Sequence, residues 1–278
     1  MSKRYYSYVT KIFIITIFLT ISSWSDGIAS HAQGYNEPIQ NADFNEVMYE
    51  SKLNTVRIVV DGAKYGFYGG SGWVVKPGYI LTNAHVVKRP DFDVKTISVE
   101  FQGAATGKAM RIETTLEAID EINDIALLKY SVNMRTKWIK GFTLAEENPL
   151  PGSSLLSVGN PVSEAVNGQK TIKYGYTVLD FAYTEGTYIG KRKSLWLIPV
   201  QAVLDSDAIA MFSEKGNSGG PVIDTKGHIV GMMRGFVDYS IPRTSLSVPL
   251  QDIKNFIDSN VPNMKTYALG TTKKETAK

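Results

Sequence analysis

The segment of the chain with the clearest chemical potential is residues 216–221, which read Gly-Asn-Ser-Gly-Gly-Pro. A serine hydroxyl becomes a strong nucleophile only when a base removes its proton and hydrogen-bond donors stabilise the oxyanion that its attack creates. Glycines on both sides of this serine permit a tight turn in which backbone amides converge on one oxygen. The segment therefore predicts Ser218 as a nucleophile and an oxyanion hole at Gly216, Asn217 and Ser218, although it also fits a glycine-rich hairpin before a strand.

A base for this serine must come from His31, His85 or His228, the three histidines of the chain. His31 lies in a segment that we expect to be removed, and His228 follows a Lys-Gly pair, where an exposed turn is predicted. His85 ends a pattern of strand, Pro-Gly turn and strand over residues 72–85, which would hold its ring at the edge of a cleft. His85 is therefore the candidate base, with a buried packing histidine as the alternative.

An imidazole that accepts a proton needs its second nitrogen oriented, usually by a buried carboxylate that also stabilises the imidazolium. Asp124 directly precedes the apolar run Ile-Ala-Leu-Leu, which predicts a buried strand with the carboxylate at its mouth. Taken alone, this aspartate also fits a turn residue at a strand entry. The three signals occur together in the order His85, Asp124, Ser218, and together they predict a Ser-His-Asp triad.

Short runs of β-branched and aromatic residues recur along the chain, separated by Gly, Pro or Asp turns. This pattern is typical of an all-β protein built from barrels. The most linker-like internal stretch, Glu-Glu-Asn-Pro-Leu-Pro-Gly at residues 146–152, divides the strands into two sets near residue 150. The predicted strands are residues 56–60, 73–76, 97–101, 124–130, 155–158, 171–183, 195–200, 220–223, 229–232 and 245–248, with a further strand after the Pro-Gly turn at residues 77–78.

We therefore predict a first barrel over residues 51–149 and a second barrel with a C-terminal helix over residues 150–260. His85 and Asp124 belong to the first barrel and Ser218 to the second, so the active site is expected in the cleft between them. The helix is predicted from apolar residues that recur at helical spacing on one face, namely Leu250, Ile253, Phe256 and Ile257.

The N-terminus begins with basic residues and continues into a mostly apolar run over residues 12–21. Because this run is shorter than the roughly twenty residues that span a bilayer, it fits a secretory signal peptide at residues 1–32. An uncleaved membrane anchor is the alternative. Residues 33–50 are expected to form an N-terminal extension and the polar residues 261–278 a flexible tail. The protein is therefore expected in the periplasm or outside the cell.

The composition excludes several classes of function. The chain has no cysteine, which excludes cysteine-peptidase chemistry and thiol-ligated metals and leaves an exported fold without disulfides. Its formal net charge of +3 gives no sign of a nucleic-acid or anionic-membrane surface. No histidine pair or carboxylate cluster has the spacing of metal ligands, so neither a metal nor another cofactor is expected.

The quoted segments resemble those of the trypsin/chymotrypsin-like serine peptidases, which share the order His, Asp, Ser. The resemblance is sharpest to the cysteine-free bacterial high-temperature-requirement (Deg) branch. That branch carries similar Gly-Ser-Gly-aromatic, Thr-Asn-x-His-Val-Val, Asp-Ile-Ala-Leu-Leu and Gly-Asn-Ser-Gly-Gly-Pro segments. The resemblance covers about residues 51–259. It implies a chymotrypsin-like double barrel with six strands in each barrel, here without the PDZ module that often follows the protease domain.

The resemblance also implies a substrate pocket. The residues that would line it are Phe212 near the base and Met232, Met233, Arg234 and Gly235 along the far wall. Neither the aspartate that selects basic side chains nor the histidine of glutamyl-specific relatives is present at the matching positions, so small or medium apolar side chains are the expected preference. An insertion around residues 210–215 loosens this alignment.

One departure from the family bears on activity. Animal members place a serine at the position of Met233, and that serine hydrogen-bonds the triad aspartate, which methionine cannot do. The other partners of Asp124 would then have to hold it. The sequence predicts a serine endopeptidase acting on protein or peptide substrates, with its oligomeric state left open. The alternative is a binding protein that has the protease fold but weak or no catalytic activity.

Overall fold

The computed structural model describes residues 42–62, 67–90, 92–101, 110–133, 136, 139–161, 182–196, 202–237 and 244–264. The chain divides into two compact units, residues 1–44 and 45–278, and both barrels belong to the second. The expected signal peptide, residues 1–32, lies outside the described residues, as do residues 265–278 of the expected tail. Within the described ranges, no helix is both long and apolar enough to cross a bilayer.

A helix and six antiparallel strands form the first half of the fold. Helix α1 (Ala42–Asn54) was not predicted and leads directly into the first strand. The strands close a barrel in the spatial order β1-β2-β3-β6-β5-β4, and a short helix, α2, follows β3. The bounds are β1 Thr55–Gly62, β2 Phe67–Lys76, β3 Tyr79–Thr82, α2 Ala84–Val87, β4 Val94–Phe101, β5 Met110–Asp120 and β6 Ile125–Lys129.

The apolar alternation of β1 sets the register of the first barrel. Val56 and Ile58 are fully buried and lie opposite Phe101 and Val99 of β4, which are buried as well. Side chains on a strand alternate between its two faces, so a slip of one residue would move this apolar set out of the core. The register that places His85 and Asp124 is therefore fixed by core packing.

The second barrel contains six antiparallel strands in the spatial order β10-β11-β12-β9-β8-β7. The final helix, α3, buries the predicted apolar face through Leu250, Ile253, Phe256 and Ile257. The predicted all-β class, with two six-stranded barrels and a C-terminal helix, is confirmed. The bounds are β7 Ser154–Gly159, β8 Ala182–Trp196, β9 Ala202–Met211, β10 Pro221–Ile223, β11 Ile229–Val237, β12 Thr244–Pro249 and α3 Leu250–Asn260.

Three strands differ from the expected pattern. Strands β5 and β8 lack an apolar run, whereas β9 was not predicted although it ends in one, Ala-Ile-Ala-Met at residues 208–211. Strand β5 buries only Thr114, and among the described side chains of β8 only Tyr188 is buried. Strand β9 pairs with β8 from Met211 to Ala202, so these two strands form a long hairpin. The predicted strand at 171–183 falls within the described residues only at its end, and the one at 195–200 only at its start, and both of these ends belong to β8.

The connection between the barrels is held to both of them. The amide of Phe142 donates to the carbonyl of Val74 on β2 at 2.9 Å. Two residues of the connection then pair with β11: Ile229 donates to Thr143 and Ala145 donates to Ile229, each at 2.8 Å. These contacts fix the connection against a strand of each barrel.

Candidate active site

His85 and Asp124 are brought together by the pairing of β3 with β6. Thr82, the last residue of β3, lies opposite Ala126 near the start of β6. The residues that follow β3 and precede β6 therefore share one edge of the sheet, and His85 on α2 meets Asp124 there. Nδ1 of His85 lies 3.0 Å from Oδ1 and 2.9 Å from Oδ2 of the carboxylate.

The Asp124 carboxylate is buried and oriented by several groups. Its side chain is 1% exposed, against 21% for that of His85. Oδ1 also accepts a hydrogen bond from the backbone N–H of His85 at 3.0 Å. The residue has a positive φ of 59°, which aspartate tolerates better than most residues, and Asn83 Nδ2 donates to its carbonyl at 3.0 Å. A carboxylate at Nδ1 favours the tautomer in which Nε2 is the basic nitrogen.

Ser218 lies in a turn that glycines make possible. Gly216 and Gly219 have positive φ angles of 97° and 84°. The turn is tied to β11, because the amide of Gly219 donates to the carbonyl of Met233 at 2.8 Å. The Ser218 hydroxyl donates to the carbonyl of Arg234, also on β11, at 3.1 Å. The middle of β11 therefore sets the position of this serine.

The backbone amides of the same turn differ in whether they already donate a hydrogen bond. The amide of Asn217 donates to the carbonyl of Glu214 at 3.1 Å and so is taken up inside the turn. Within the described part of the chain, the amides of Gly216 and Ser218 donate no hydrogen bond. Two such amides beside a serine are able to bind the oxygen of a tetrahedral intermediate. Of the three residues predicted for the oxyanion hole, Gly216 and Ser218 thus keep amide donors for a ligand.

Ser71 on β2 connects the serine turn to the first barrel, a role that the sequence reading missed. Its amide donates to the carbonyl of Ser218 at 2.8 Å, and its hydroxyl donates to the carbonyl of Gly216 at 2.7 Å. The hydroxyl also accepts from the amide of Asn160, after β7, at 2.8 Å. Glycines around a serine in a strand were the available signal, since they indicate that another backbone approaches closely.

Two glycines show how closely the barrels meet at this point. A Cβ on Gly219 would overlap the carbonyl oxygen of Ser71 and Oγ1 of Thr82. A Cβ on Gly70 would lie 2.9 Å from both the carbonyl oxygen of Ser218 and Cγ1 of Val86, the neighbour of His85 on α2. The Ser218 backbone and the helix that carries His85 therefore flank the same strand. The structure brings all three predicted triad residues to one region between the barrels.

Arg234 reaches Asp124 from the second barrel. Its side chain is 1% exposed, and Nε lies 3.5 Å from Oδ2 of Asp124, an ion-pair contact rather than a short hydrogen bond. Met233 is fully buried. It stands at the position where animal members of the family carry the serine that hydrogen-bonds the triad aspartate. The β11 side chain that faces Asp124 is therefore that of Arg234. Burial lowers the pKa of this guanidinium, and the charge of Asp124 is the largest effect that opposes the shift.

The other residues predicted for the substrate pocket have different environments. Phe212 is 52% exposed, whereas Met232 and Met233 are completely buried. Gly235 is half-buried and follows a register shift in the pairing of β11 with β12. Among these residues, Phe212 alone presents a large accessible apolar side chain.

The charge of Arg234 also acts on two other carboxylates, that of the buried Asp207 and that of the half-buried Asp252. The Tyr188 hydroxyl donates to Oδ1 of Asp207 at 2.9 Å, and burial raises the pKa of both residues. Burial likewise raises the pKa of Asp252 on α3, while the charge of Arg234 lowers it. The positive charge of Arg234 therefore acts on carboxylates from both barrels. In the described portions of the chain, no group of three or more His, Asp or Glu side chains is placed to hold a metal ion.

Comparison with known proteins agrees with this geometry. The sequence profile of the family described as "Trypsin-like peptidase domain" matches residues 70–232. The chain is 30% identical over 207 residues to serine protease HTRA1 of Xenopus tropicalis, covering 74% of this chain and 39% of that protein. It is 27% identical over 209 residues to human serine protease HTRA3, covering 72% of this chain and 41% of that protein. The chain thus spans about two fifths of the length of these relatives.

Solved structures show the same fold. The active form of the Rv3671c protease from M. tuberculosis superposes with a TM-score of 0.62 at 20% identity, covering 83% of this chain and 90% of that chain. The predicted resemblance to trypsin-like peptidases and to the high-temperature-requirement proteases is confirmed.

Proposed function

Since the chain belongs to the family of trypsin-like peptidase domains, we propose that it is a serine endopeptidase acting through His85, Asp124 and Ser218. The observation that carries the proposal is the contact of both Asp124 oxygens with Nδ1 of His85. A buried carboxylate at one nitrogen of a partly exposed imidazole orients the ring and stabilises the imidazolium. The other nitrogen, Nε2, can then serve as the general base.

The first chemical step begins with a change of partner by the Ser218 hydroxyl. Its hydrogen bond to the Arg234 carbonyl, at 3.1 Å, is long for an O–H donor, so exchange for Nε2 of His85 costs little. Oγ then attacks the peptide carbonyl while His85 takes the hydroxyl proton, and the amides of Gly216 and Ser218 bind the oxyanion. One such donor contributes about 3 to 4 kcal/mol.

The second half of the reaction returns the enzyme to its starting state. His85 passes its proton to the leaving amine, the C–N bond breaks, and an acyl ester on Ser218 remains. A water molecule then gives a proton to His85 and attacks the ester carbonyl. The bond between Ser218 Oγ and the acyl carbon breaks, Oγ takes the proton from His85, and the carboxylic acid product leaves. The substrate supplies the peptide bond and water supplies the second nucleophile, so the sequence of steps needs no cofactor.

Covalent labelling of the full chain with a fluorophosphonate probe tests this proposal. We expect labelling of the parent and of Ser259→Ala, which alters an exposed serine on α3, and no labelling of Ser218→Ala. Casein cleavage should follow the same pattern while circular dichroism shows that the Ser218→Ala protein is folded. Labelling that persists in this variant would show that Ser218 is not the nucleophile. A folded parent that is neither labelled nor active would indicate a binding protein instead.

We also infer that the protein is exported. The basic start and the apolar run at residues 12–21 support a signal peptide, and a cysteine-free chain does not depend on disulfide formation after export. The mass of the protein recovered from the periplasm or the medium would show loss of about residues 1–32, whereas an intact N-terminus in the membrane fraction would contradict the inference.

A further inference from the structure

Arg234 occupies an unusual position for a charged side chain. It lies in β11 where the pairing with β12 shifts between Met233 and Gly235, and it is one of the largest fully buried side chains of the described residues. Burying a guanidinium is costly unless its donors and its charge are satisfied by nearby groups. The groups around Arg234 therefore indicate what holds it in place.

The guanidinium contacts both barrels. Nη2 donates to the carbonyl of Asn123, in the turn before β6, at 2.6 Å. Nη1 donates to the carbonyl of Asp205 at 3.0 Å and to Oγ of Ser206 at 2.9 Å, both on β9. The planar fork of an arginine suits this arrangement, because its donors point in fixed directions. Arg234 thus links the turn that carries Asp124 to the barrel that carries Ser218.

The same residue contacts two members of the proposed triad. Nε lies 3.5 Å from Oδ2 of Asp124, and the backbone carbonyl accepts the hydrogen bond of the Ser218 hydroxyl at 3.1 Å. On its other side, the Asp124 carboxylate accepts from the backbone amide of His85. The carboxylate is therefore held between a donor of its own barrel and a cation of the other.

The guanidinium is the counter-charge for a group of carboxylates. Those whose charge acts on it, in decreasing order, are Asp124, Asp252, Asp120 and Asp207. They come from the end of β5, the β5–β6 turn, α3 and β9. The charge of Lys191 on β8 acts on Asp207 and Asp252 as well. Without Arg234, Asp124 would face these negative charges with no cation from β11 beside it.

We propose that Arg234 is a positioning residue for catalysis, because its guanidinium holds the Asp124 carboxylate in the orientation that both oxygens need to contact His85. The inference rests on the proposed function of the triad. Without the guanidinium, Oδ2 of Asp124 loses its contact with Arg234, and the carboxylate can rotate away from Nδ1 of His85. The imidazole is then less well oriented for proton transfer, while substrate binding is little affected.

Two substitutions separate the charge of Arg234 from its shape. Arg234→Lys keeps the positive charge but cannot span Asn123, Ser206 and Asp124 together, and Arg234→Gln removes the charge. The matched control is Arg192→Gln, which removes an exposed arginine of β8. Each protein is studied as the full chain. We would measure kcat and KM on a peptide substrate and the rate of fluorophosphonate labelling per folded molecule. The third measurement is the NMR resonance of the proton on His85 Nδ1.

We expect kcat to fall about 10- to 100-fold in Arg234→Gln, the range that small misplacements of catalytic groups produce. KM should change by less than about threefold. Arg234→Lys should recover about half of the loss on a logarithmic scale, but not all of it, because lysine keeps the charge and not the fork. The Nδ1 proton resonance should shift in both variants, and more in the Gln variant than in the Lys variant. The proposal would be overturned if kcat and the Nδ1 proton resonance of Arg234→Gln matched those of Arg192→Gln. It would also be overturned if kcat fell equally in Arg234→Lys and Arg234→Gln.

Two further outcomes remain decisive. If Arg234→Gln does not fold, Arg234→Lys alone decides: a lower kcat with a shifted Nδ1 resonance supports the role, and unchanged values refute it. If the parent is neither labelled nor active, the proposed function fails, but the resonance still shows whether Arg234 orients the Asp124–His85 pair. A merely structural role would lower the folded fraction and leave the rate per folded molecule unchanged.

Discussion

Replacing Ser71 with alanine should weaken the protein where the two barrels build the proposed active site. Ser71 is fully buried, and its hydroxyl connects the carbonyl of Gly216 with the amide of Asn160. In the alanine variant both backbone groups lose this partner, the carbonyl of the buried Gly216 and the amide of the half-buried Asn160. A buried polar group left unsatisfied costs about 1 to 3 kcal/mol and the half-buried amide less, so the expected loss of stability is about 1 to 5 kcal/mol.

A matched control comes from Ser51 on α1. This serine is also buried, at 1% exposure, but its hydroxyl donates to the carbonyl of Val47 four residues earlier. That carbonyl is also the regular acceptor of the helical bond from the Ser51 amide, so Ser51→Ala leaves it with a partner. We therefore expect Ser51→Ala to cost less than about 1 kcal/mol, the usual net contribution of one hydrogen bond.

Urea denaturation followed by tryptophan fluorescence measures both losses under the same conditions. Fluorophosphonate labelling of the folded proteins adds a second readout, because the Ser71 hydroxyl restrains the turn that carries Ser218. The labelling rate of Ser71→Ala should fall by less than the roughly hundredfold that loss of an oxyanion donor itself causes. If Ser71→Ala loses no more stability than Ser51→Ala and is labelled as fast as the parent, the reasoning about the hydroxyl is wrong.

Two further predictions concern a glycine and a buried carboxylate. Gly219→Ala should cost more than about 3 kcal/mol, because a Cβ at this positive φ would overlap the carbonyl of Ser71. The control is Gly152, which has a similar φ but where an added Cβ would meet no atom within 4 Å. Gly152→Ala should therefore cost only the roughly 1 to 2 kcal/mol of placing an alanine in this backbone conformation. Equal losses of stability in urea denaturation would show that the overlap at Gly219 does not matter. Burial raises the pKa of Asp207 in the folded state, so its stability contribution is lost as the pH rises through that raised pKa. Asp207→Asn should therefore gain stability relative to the parent as the pH rises above about 4, the usual pKa of an aspartate. The exposed Asp93→Asn is the control, and a stability difference for Asp207→Asn that varies as little with pH as that of the control would refute this.

The fold class was predictable because the core strands carry their own signal. The apolar stretches that become β1, β6 and β11 are buried in the structure, and their spacing between turns is that of a barrel. Helix α3 was predictable for the same reason, since its apolar residues recur on one face. In each case a local pattern coincides with the surface that the fold buries.

Strands β5 and β8 were harder to predict because their sequences carry no apolar run. Lys191, Arg192 and Lys193 are exposed on β8 and pair with Asp207, Ser206 and Asp205 on β9. Charged residues in a row give no apolar alternation, so the pattern resembles that of a loop. These residues are extended because a neighbouring strand supplies their hydrogen bonds, which the local sequence does not reveal.

The sequence by itself determined the candidate chemistry: a serine in a glycine turn, a histidine after a strand and an aspartate before one. Each depends on a few adjacent residues, and such local patterns can be read without the fold. Only the tertiary structure decided that Ser71 holds the serine turn across a separation of 145 residues, and that Arg234 rather than Met233 faces Asp124. The first depends on how the barrels pack and the second on a one-residue shift in strand register, and neither packing nor a bulge is encoded by the residues next to the site.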